Sequence, residues 1–114
     1  MTEVIYSVAI PVFNEQENLA ELVGRVNAIL SSLQQPWELI LVDDGSADGS
    51  FARIIELKRE FPQLRGLKFS KNNGQTAAMA AGIKAARGSI IITLDADLQN
   101  DPADIPLLLA ALDQ

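Results

Sequence analysis

The 114-residue sequence contains no cysteine and no histidine. The first absence removes any disulfide framework and any thiolate metal site. The second removes the commonest general base and the usual zinc ligand. Basic residues are also scarce: nine Lys and Arg stand against fifteen Asp and Glu, for a net charge of −6. A nucleic-acid face needs clustered Lys and Arg to neutralise phosphates, so that class of partner is excluded. A nucleotide held through a bound cation is still compatible with this balance. No apolar run reaches the length of a membrane span, and Met1-Thr2-Glu3 lacks the basic region of a signal peptide. The expected compartment is the cytoplasm. There is no linker, internal repeat or low-complexity segment.

What is present is an ordinary globular composition, 48% hydrophobic. A chain of this length forms one domain that buries roughly two-thirds of its unfolded surface. Its hydrophobic pattern alternates between two periods. Strands are expected over residues 6–13, 37–42, 64–69 and 89–94, the third less apolar than the others. Between them, apolar residues recur at helical spacing. Leu19, Leu22, Val23, Val26, Ile29, Leu30 and Leu33 mark a helix over 17–33, and Phe51, Ile54, Ile55, Leu57 and Phe61 mark another over 49–61, closed by Pro62. A third, with very small side chains, is expected over 74–86 and ended by Gly88; a fourth starts at Pro102. Four strand–helix alternations with short links are the pattern of a parallel sheet covered by helices on both faces. Right-handed crossovers and the doubly wound arrangement give the order 3-2-1-4. The chain stops in or just after a helix with no closing strand, so the domain is expected to be part of a longer protein.

Ligands of open α/β sheets bind beyond the carboxyl ends of the strands. The segments that follow the four strands are "FNEQEN", "DDGSADGS", "SKNNGQ" and "DADLQND", all polar and mostly acidic or amide-bearing, while the opposite rim looks plainer. Each has a local explanation. Asn14 or Asn18 can cap a helix, Asp44-Gly45 is a common turn, Asp48 can cap the second helix, and Asn73-Gly74 supplies a left-handed turn. The Ala-rich third helix suits close packing on the sheet. Their coincidence on one rim is what points to a site.

The sharpest feature is the pair Asp95 and Asp97, which ends a β-branched strand. At spacing two on an extended chain they face one side. If they lie about 4 Å apart, their repulsion is on the order of 4 kcal/mol near a protein surface. A hard divalent cation, Mg²⁺ or Mn²⁺, removes that repulsion, and Gln99 adds a third oxygen on the same side. No glycine-rich dinucleotide fingerprint and no GxxxxGK[ST] loop is present, so a diphosphate would be held through the cation. Asp43, Asp44 and Glu15 can accept from ribose hydroxyls or a base N–H, and Pro11 and Phe13 offer apolar surface to a base. A phosphoacceptor signalling domain does not fit, because here the acid pair follows the second strand and Ser70-Lys71 follows the third.

At "IPVFNEQENL", "ELILVDDGSADGS", "NNGQTAAMAAGIKAARG" and "ITLDADLQNDP" the sequence resembles the family-2 glycosyltransferases, in the polyprenyl-phosphate branch that includes dolichol-phosphate mannose synthase and undecaprenyl-phosphate sugar transferases. These stretches cover most of the chain in family order. The resemblance implies the Rossmann-like, nucleotide-sugar-binding half of a glycosyltransferase A-type fold. It implies nucleotide contacts from Pro11, Phe13, Glu15, Asp44 and the Asn73 segment. It places Asp95, Asp97 and Gln99 at the metal and diphosphate, with Asp97 as the catalytic residue of that set. Phe13 stands where Tyr is often found, which loses a hydroxyl contact and keeps the apolar one. The implied reaction is transfer, with inversion, from a UDP- or GDP-sugar to a polyprenyl phosphate at the cytoplasmic face of a membrane. A saccharide acceptor and a non-catalytic nucleotide-binding module are the alternatives. The fourth strand, uncharged and without proline, would be an unprotected edge in this chain, so self-association is expected.

Overall fold

The computed structural model describes residues 3–94. The fourth helix expected from Pro102 lies outside them, as do Asp95, Asp97 and Gln99. Seven elements alternate: β1 (Tyr6–Val12), α1 (Leu19–Ser32), β2 (Trp37–Asp43), α2 (Ser50–Glu60), β3 (Leu64–Lys68), α3 (Gln75–Ala85) and β4 (Ile90–Thr93). All strand pairs are parallel and the order is β3-β2-β1-β4, as expected. Among the described residues no helix is long and apolar enough to cross a membrane.

The period-two alternation of each strand sorts its side chains between two cores. Val8, Ile10 and Val12 of β1 and Leu39 and Leu41 of β2 face one side, where Leu19, Leu22, Val23, Val26 and Leu30 of α1 and Ile54 and Leu57 of α2 cover them. Ile40 and Val42 face the other side, against Ala78, Ala81 and Ala85 of α3. Small side chains are needed there: a Cβ on Gly82 would stand 3.0 Å from Ala9 Cβ and 3.3 Å from Val42 Cγ2. The two steps β1→β2→β3 run one way across the sheet with their helices on one face. The return from β3 to β4 carries α3 on the other, as right-handed crossovers demand.

Two sequence expectations change. α2 ends at Glu60, with Phe61 already extended ahead of Pro62, since a residue before proline avoids the helical region. α3, however, is not ended by Gly88. It stops at Ala85, with Ala86 extended. Gly88 instead permits a close approach. A Cβ there would lie 2.7 Å from Ser7 Oγ and 2.8 Å from Ile5 O, so the chain entering β4 passes flush against β1. The strand β4 is an edge among the described residues, and Ile91, 41% exposed, leaves one of its faces open.

The amino-end rim is not plain. Glu38, near the start of β2, is 2% exposed. Its carboxylate accepts from Ser7 Oγ of β1 (2.6 Å), Arg65 Nη1 of β3 (2.7 Å) and the Arg87 amide ahead of β4 (2.7 Å), and pairs with Arg87 Nη2 (3.1 Å). Ser7 Oγ in turn accepts from the Gly88 amide (2.8 Å), and Arg65 Nη1 also donates to Ala85 O at the end of α3 (3.0 Å). Burial pushes the Glu38 carboxyl up, but the bonds from Ser7, Arg87 and Arg65 together outweigh it and hold it below the usual carboxylate range.

Replacing Glu38 by Gln sets an amide donor among these donors. Breaking one side of a buried pair costs about 3–5 kcal/mol, less where the partners reach water as the arginines do, so urea unfolding at neutral pH is expected to show a loss of about 2–3 kcal/mol. A carboxyl with a lowered folded-state pKa stabilises above its unfolded pKa and loses that contribution as pH falls through the folded value. The gap between wild type and Glu38→Gln therefore narrows as pH drops below the ordinary carboxylate range. A gap that is constant with pH would show that the charge of Glu38 does not matter.

Candidate nucleotide-binding site

The carboxyl-end rim is built from the loops after β1, β2 and β3, and hydrogen bonds lock them into one body. The first lock is between the loops after β1 and β2. The amides of Asn14, Glu15 and Gln16 donate to Ser46 Oγ (2.9 Å), Ser50 Oγ (3.1 Å) and Asp48 Oδ2 (3.3 Å). The side chains return the bonds. Asn14 Oδ1 accepts from the Ala47 amide (2.8 Å), and Gln16 Oε1 accepts from the Gly49 amide (2.9 Å). Asp48 also accepts from the Ser50 amide (2.9 Å) and hydroxyl, at the start of α2. Its slight burial raises its carboxyl, and the bonds from Ser50 and Gln16 more than reverse this, leaving it below the usual range. Asp48 is therefore not the N-cap expected of it, a place that Gly49 takes; it holds the Ser50 amide from one residue earlier and reaches across to the loop after β1 as well.

The second lock centres on Asp44, 3% exposed. Its Oδ1 accepts from the Asn73 amide (2.7 Å), and its Oδ2 from the Gly74 amide (3.1 Å) and Asn72 Nδ2 (3.1 Å). Of the four acceptor sites on a carboxylate, three are spent on the loop after β3. The backbone is shaped to match. Gly45 has φ +72°, and a Cβ on it would stand 2.3 Å from the carbonyl carbon of Lys71. Gly74 has φ +98° ahead of α3, the left-handed turn expected of Asn73-Gly74.

The other predicted residues fall as follows. Asp43, buried, ends β2 and accepts through Oδ1 from the Ser46 amide (3.3 Å) and hydroxyl. Glu15 is half-buried, with Oε2 taken by Asn18 Nδ2 (2.7 Å). Asn18 stands at the start of α1 but spends its side chain on Glu15 instead of on the helix amides. Pro11 is buried in β1, while Phe13, 46% exposed, presents the apolar surface. Asn73 is exposed, its side-chain amide on Lys71 O (3.2 Å). These residues share one rim. Asp95, Asp97 and Gln99, outside the described residues, follow directly on Leu94, whose amide donates to Ala9 O beside β1 (3.3 Å). The next rung would need an amide hydrogen on residue 11, and Pro11 has none. Among the described residues the β1–β4 pairing runs from Tyr6 beside Ile90 to Ala9 beside Thr93. Among the described residues no three acids come together as a metal site. The loop locks of Asn14, Gln16, Ser46, Asp48 and Asn72 were not legible as such, because their partners lie about thirty residues apart; only the density of Asn, Ser and Asp hinted at them.

A family model described as glycosyl transferase family 2 matches residues 7–114. Among curated proteins, the chain is 48% identical over 109 residues to dodecaprenyl-phosphate galacturonate synthase of Rhizobium johnstonii, covering 95% of this chain and 32% of that one. It is 46% identical over 109 residues to undecaprenyl-phosphate 4-deoxy-4-formamido-L-arabinose transferase of Salmonella paratyphi A, covering 95% and 33%. The chain thus spans about a third of the length of these relatives. Among solved structures, glucosyl-3-phosphoglycerate synthase of M. tuberculosis superposes with a TM-score of 0.76 at 25% identity, over 96% of this chain and 41% of that one. The mannosyltransferase PcManGT of Pyrobaculum calidifontis, in complex with GDP-Man and Mn²⁺, gives 0.70 at 23% identity over 81% and 27%. The fold is that of the glycosyltransferase A type.

Asp44→Asn tests the second lock. Whichever way the new amide turns, it places a donor against at least one loop donor. A loss of about 1–3 kcal/mol in unfolding free energy is expected. Amide exchange at Asn73 and Gly74 should speed up as well. Unchanged exchange at both positions would remove Asp44 from this role.

Proposed function

Because the chain belongs to glycosyl transferase family 2, we propose that it is the nucleotide-sugar-binding part of a larger enzyme that moves a sugar, with inversion, from a UDP- or GDP-sugar to a polyprenyl phosphate. One observation carries this reading: the polar loops after β1, β2 and β3 are locked into a single rim at the carboxyl ends of the strands, beside the switch point between β1 and β4. The names of the relatives at 46–48% identity support the acceptor class.

The residues divide the work by chemistry. Phe13 offers an exposed ring edge to a base. Glu15, Asp43 and the remaining acceptor site of Asp44 take hydrogen bonds from ribose hydroxyls or a base N–H. Asn73 stands at the rim beside them. Asp95, Asp97 and Gln99 provide an all-oxygen donor set, which suits Mg²⁺ or Mn²⁺ and not a softer ion. Such a cation, when bound, stabilises the charge that develops on a departing diphosphate. The acceptor phosphate is already an anion, so the reaction needs no strong base. The acceptor lies in a membrane and the donor in water, so the reaction belongs at the membrane's cytoplasmic face, with the lipid held by parts of the protein beyond this chain. The uncovered β4 edge and Ile91 favour self-association of the 114-residue chain by itself.

Three measurements test this. Calorimetry on this chain is expected to show weak binding of UDP or GDP with Mg²⁺ or Mn²⁺ and none with EDTA; equal affinity in both would remove the cation from the reading. In the full-length protein, Asp97→Asn is expected to abolish most transfer with thermal unfolding unchanged, since one anionic ligand is lost from a strand-end loop. Near wild-type transfer at saturating metal would return Asp97 to a solvated loop. Light scattering on a gel-filtration column is expected to show dimers or larger species of the 114-residue chain; a monodisperse monomer at high concentration would show that the β4 edge is sheltered.

A further inference from the structure

We infer that Asn14 is the positioning residue of the rim: it clamps the turn between Phe13 and Glu15 onto the loop after β2 and thereby sets where those two residues meet a nucleotide. The inference rests on the reading of Phe13 and Glu15 as nucleotide contacts and goes beyond it. Asn14 has φ +53°, one of two non-glycine residues with positive φ among those described. A left-handed residue costs roughly 1–2 kcal/mol for most side chains, and Asn is among the few that adopt it routinely. On an extended chain Phe13 and Glu15 would share one side. The left-handed kink breaks that alternation, leaving Phe13 at the end of the strand while Glu15 turns into the entrance of α1.

The kink is held from both directions. Asn14 Oδ1 accepts from the Ala47 amide at 2.8 Å, with the Asp48 amide at 3.4 Å. The Asn14 amide donates to Ser46 Oγ at 2.9 Å, and that hydroxyl donates onward to Asp43 Oδ1. One side chain therefore joins the end of β1 to the end of β2 across more than thirty residues of sequence. Glu15 N on Ser50 Oγ and Gln16 N on Asp48 Oδ2 continue the same seam. Asn meets both demands at once, as an amide acceptor and as a residue that tolerates positive φ. Glycine meets only the second, alanine neither, and aspartate both.

The test uses the full-length protein with Asn14→Gly and Asn14→Asp, reading KM for the nucleotide sugar, kcat, and amide exchange at Ala47 and Asp48. Asn14→Gly is expected to raise the donor KM about tenfold with kcat within about twofold, the sign of lost uniform binding, because one hydrogen bond is removed and the contacts of Phe13 and Glu15 loosen. Asn14→Asp is expected to stay within about threefold of wild type. Exchange at Ala47 and Asp48 should be slow in wild type without nucleotide and fast in Asn14→Gly. An unchanged donor KM in Asn14→Gly, or exchange no faster than in wild type, overturns the inference. A wild-type protein that binds no nucleotide diphosphate would instead overturn the reading of the site, and the exchange series alone would then decide whether Asn14 holds the loop. Should Asn14→Gly fail to fold, Ser46→Ala removes the acceptor of the Asn14 main-chain amide, the other half of the clamp, and is expected to raise the donor KM in the same direction; no rise overturns the inference.

Discussion

The carboxylate of Glu38 touches every strand of the described sheet or its immediate approach. It holds β1 through Ser7, β3 through Arg65 and the approach to β4 through Arg87. A charge this buried is tolerated only when its lone pairs are filled, and here two guanidinium groups, a hydroxyl and a main-chain amide fill them. The consequence is geometric. Four parallel strands are pinned together at their amino ends, and Arg65 ties the end of α3 to the same point. The strands are thus tied together at one rim, and the polar loops stand at the other.

At that other rim the chain uses neutral amides and hydroxyls to position acids. Asp44 and Asp48 hold loops through backbone amides, which are fixed donors with no charge of their own. The arrangement leaves the acidic character of the rim intact while removing its freedom. In the proposed reading, in which the rim receives a diphosphate through a cation, ordering the loops beforehand lowers the entropy lost on binding. Pro11 contributes by omission. The hydrogen it lacks would have made the rung after the one from the Leu94 amide to Ala9 O.

The relatives share this chain's family, and the structural neighbours share its fold. Identity of 46–48% extends over 109 residues with polyprenyl-phosphate sugar transferases, whereas neighbours at 23–25% identity retain the fold with TM-scores of 0.70–0.76. The fold can survive large sequence change because its two cores ask only for apolar residues at alternating strand positions and small residues on α3.

The sequence alone determined the elements and their order. Alternating periods of two and about four mark β1 to β4 and α1 to α3 without any tertiary information, and handedness leaves one economical topology. The polar strand ends, Asn14-Glu15, Asp43-Asp44, Asn73-Gly74 and Asp95 to Gln99, were likewise legible, since they interrupt those periods. Which partners they choose was decided only in three dimensions. Gly88 read as a helix stop and is instead a close-packing point against Ser7. The amino-end rim looked plain in the sequence, yet Glu38 anchors it. Asn14 read as a cap and is a bridge between two loops. The reason is the same in each case. Periodicity reports burial, which depends on neighbours three or four residues away, whereas a hydrogen bond between residues thirty or more positions apart depends on strand order and register, which exist only once the sheet has formed.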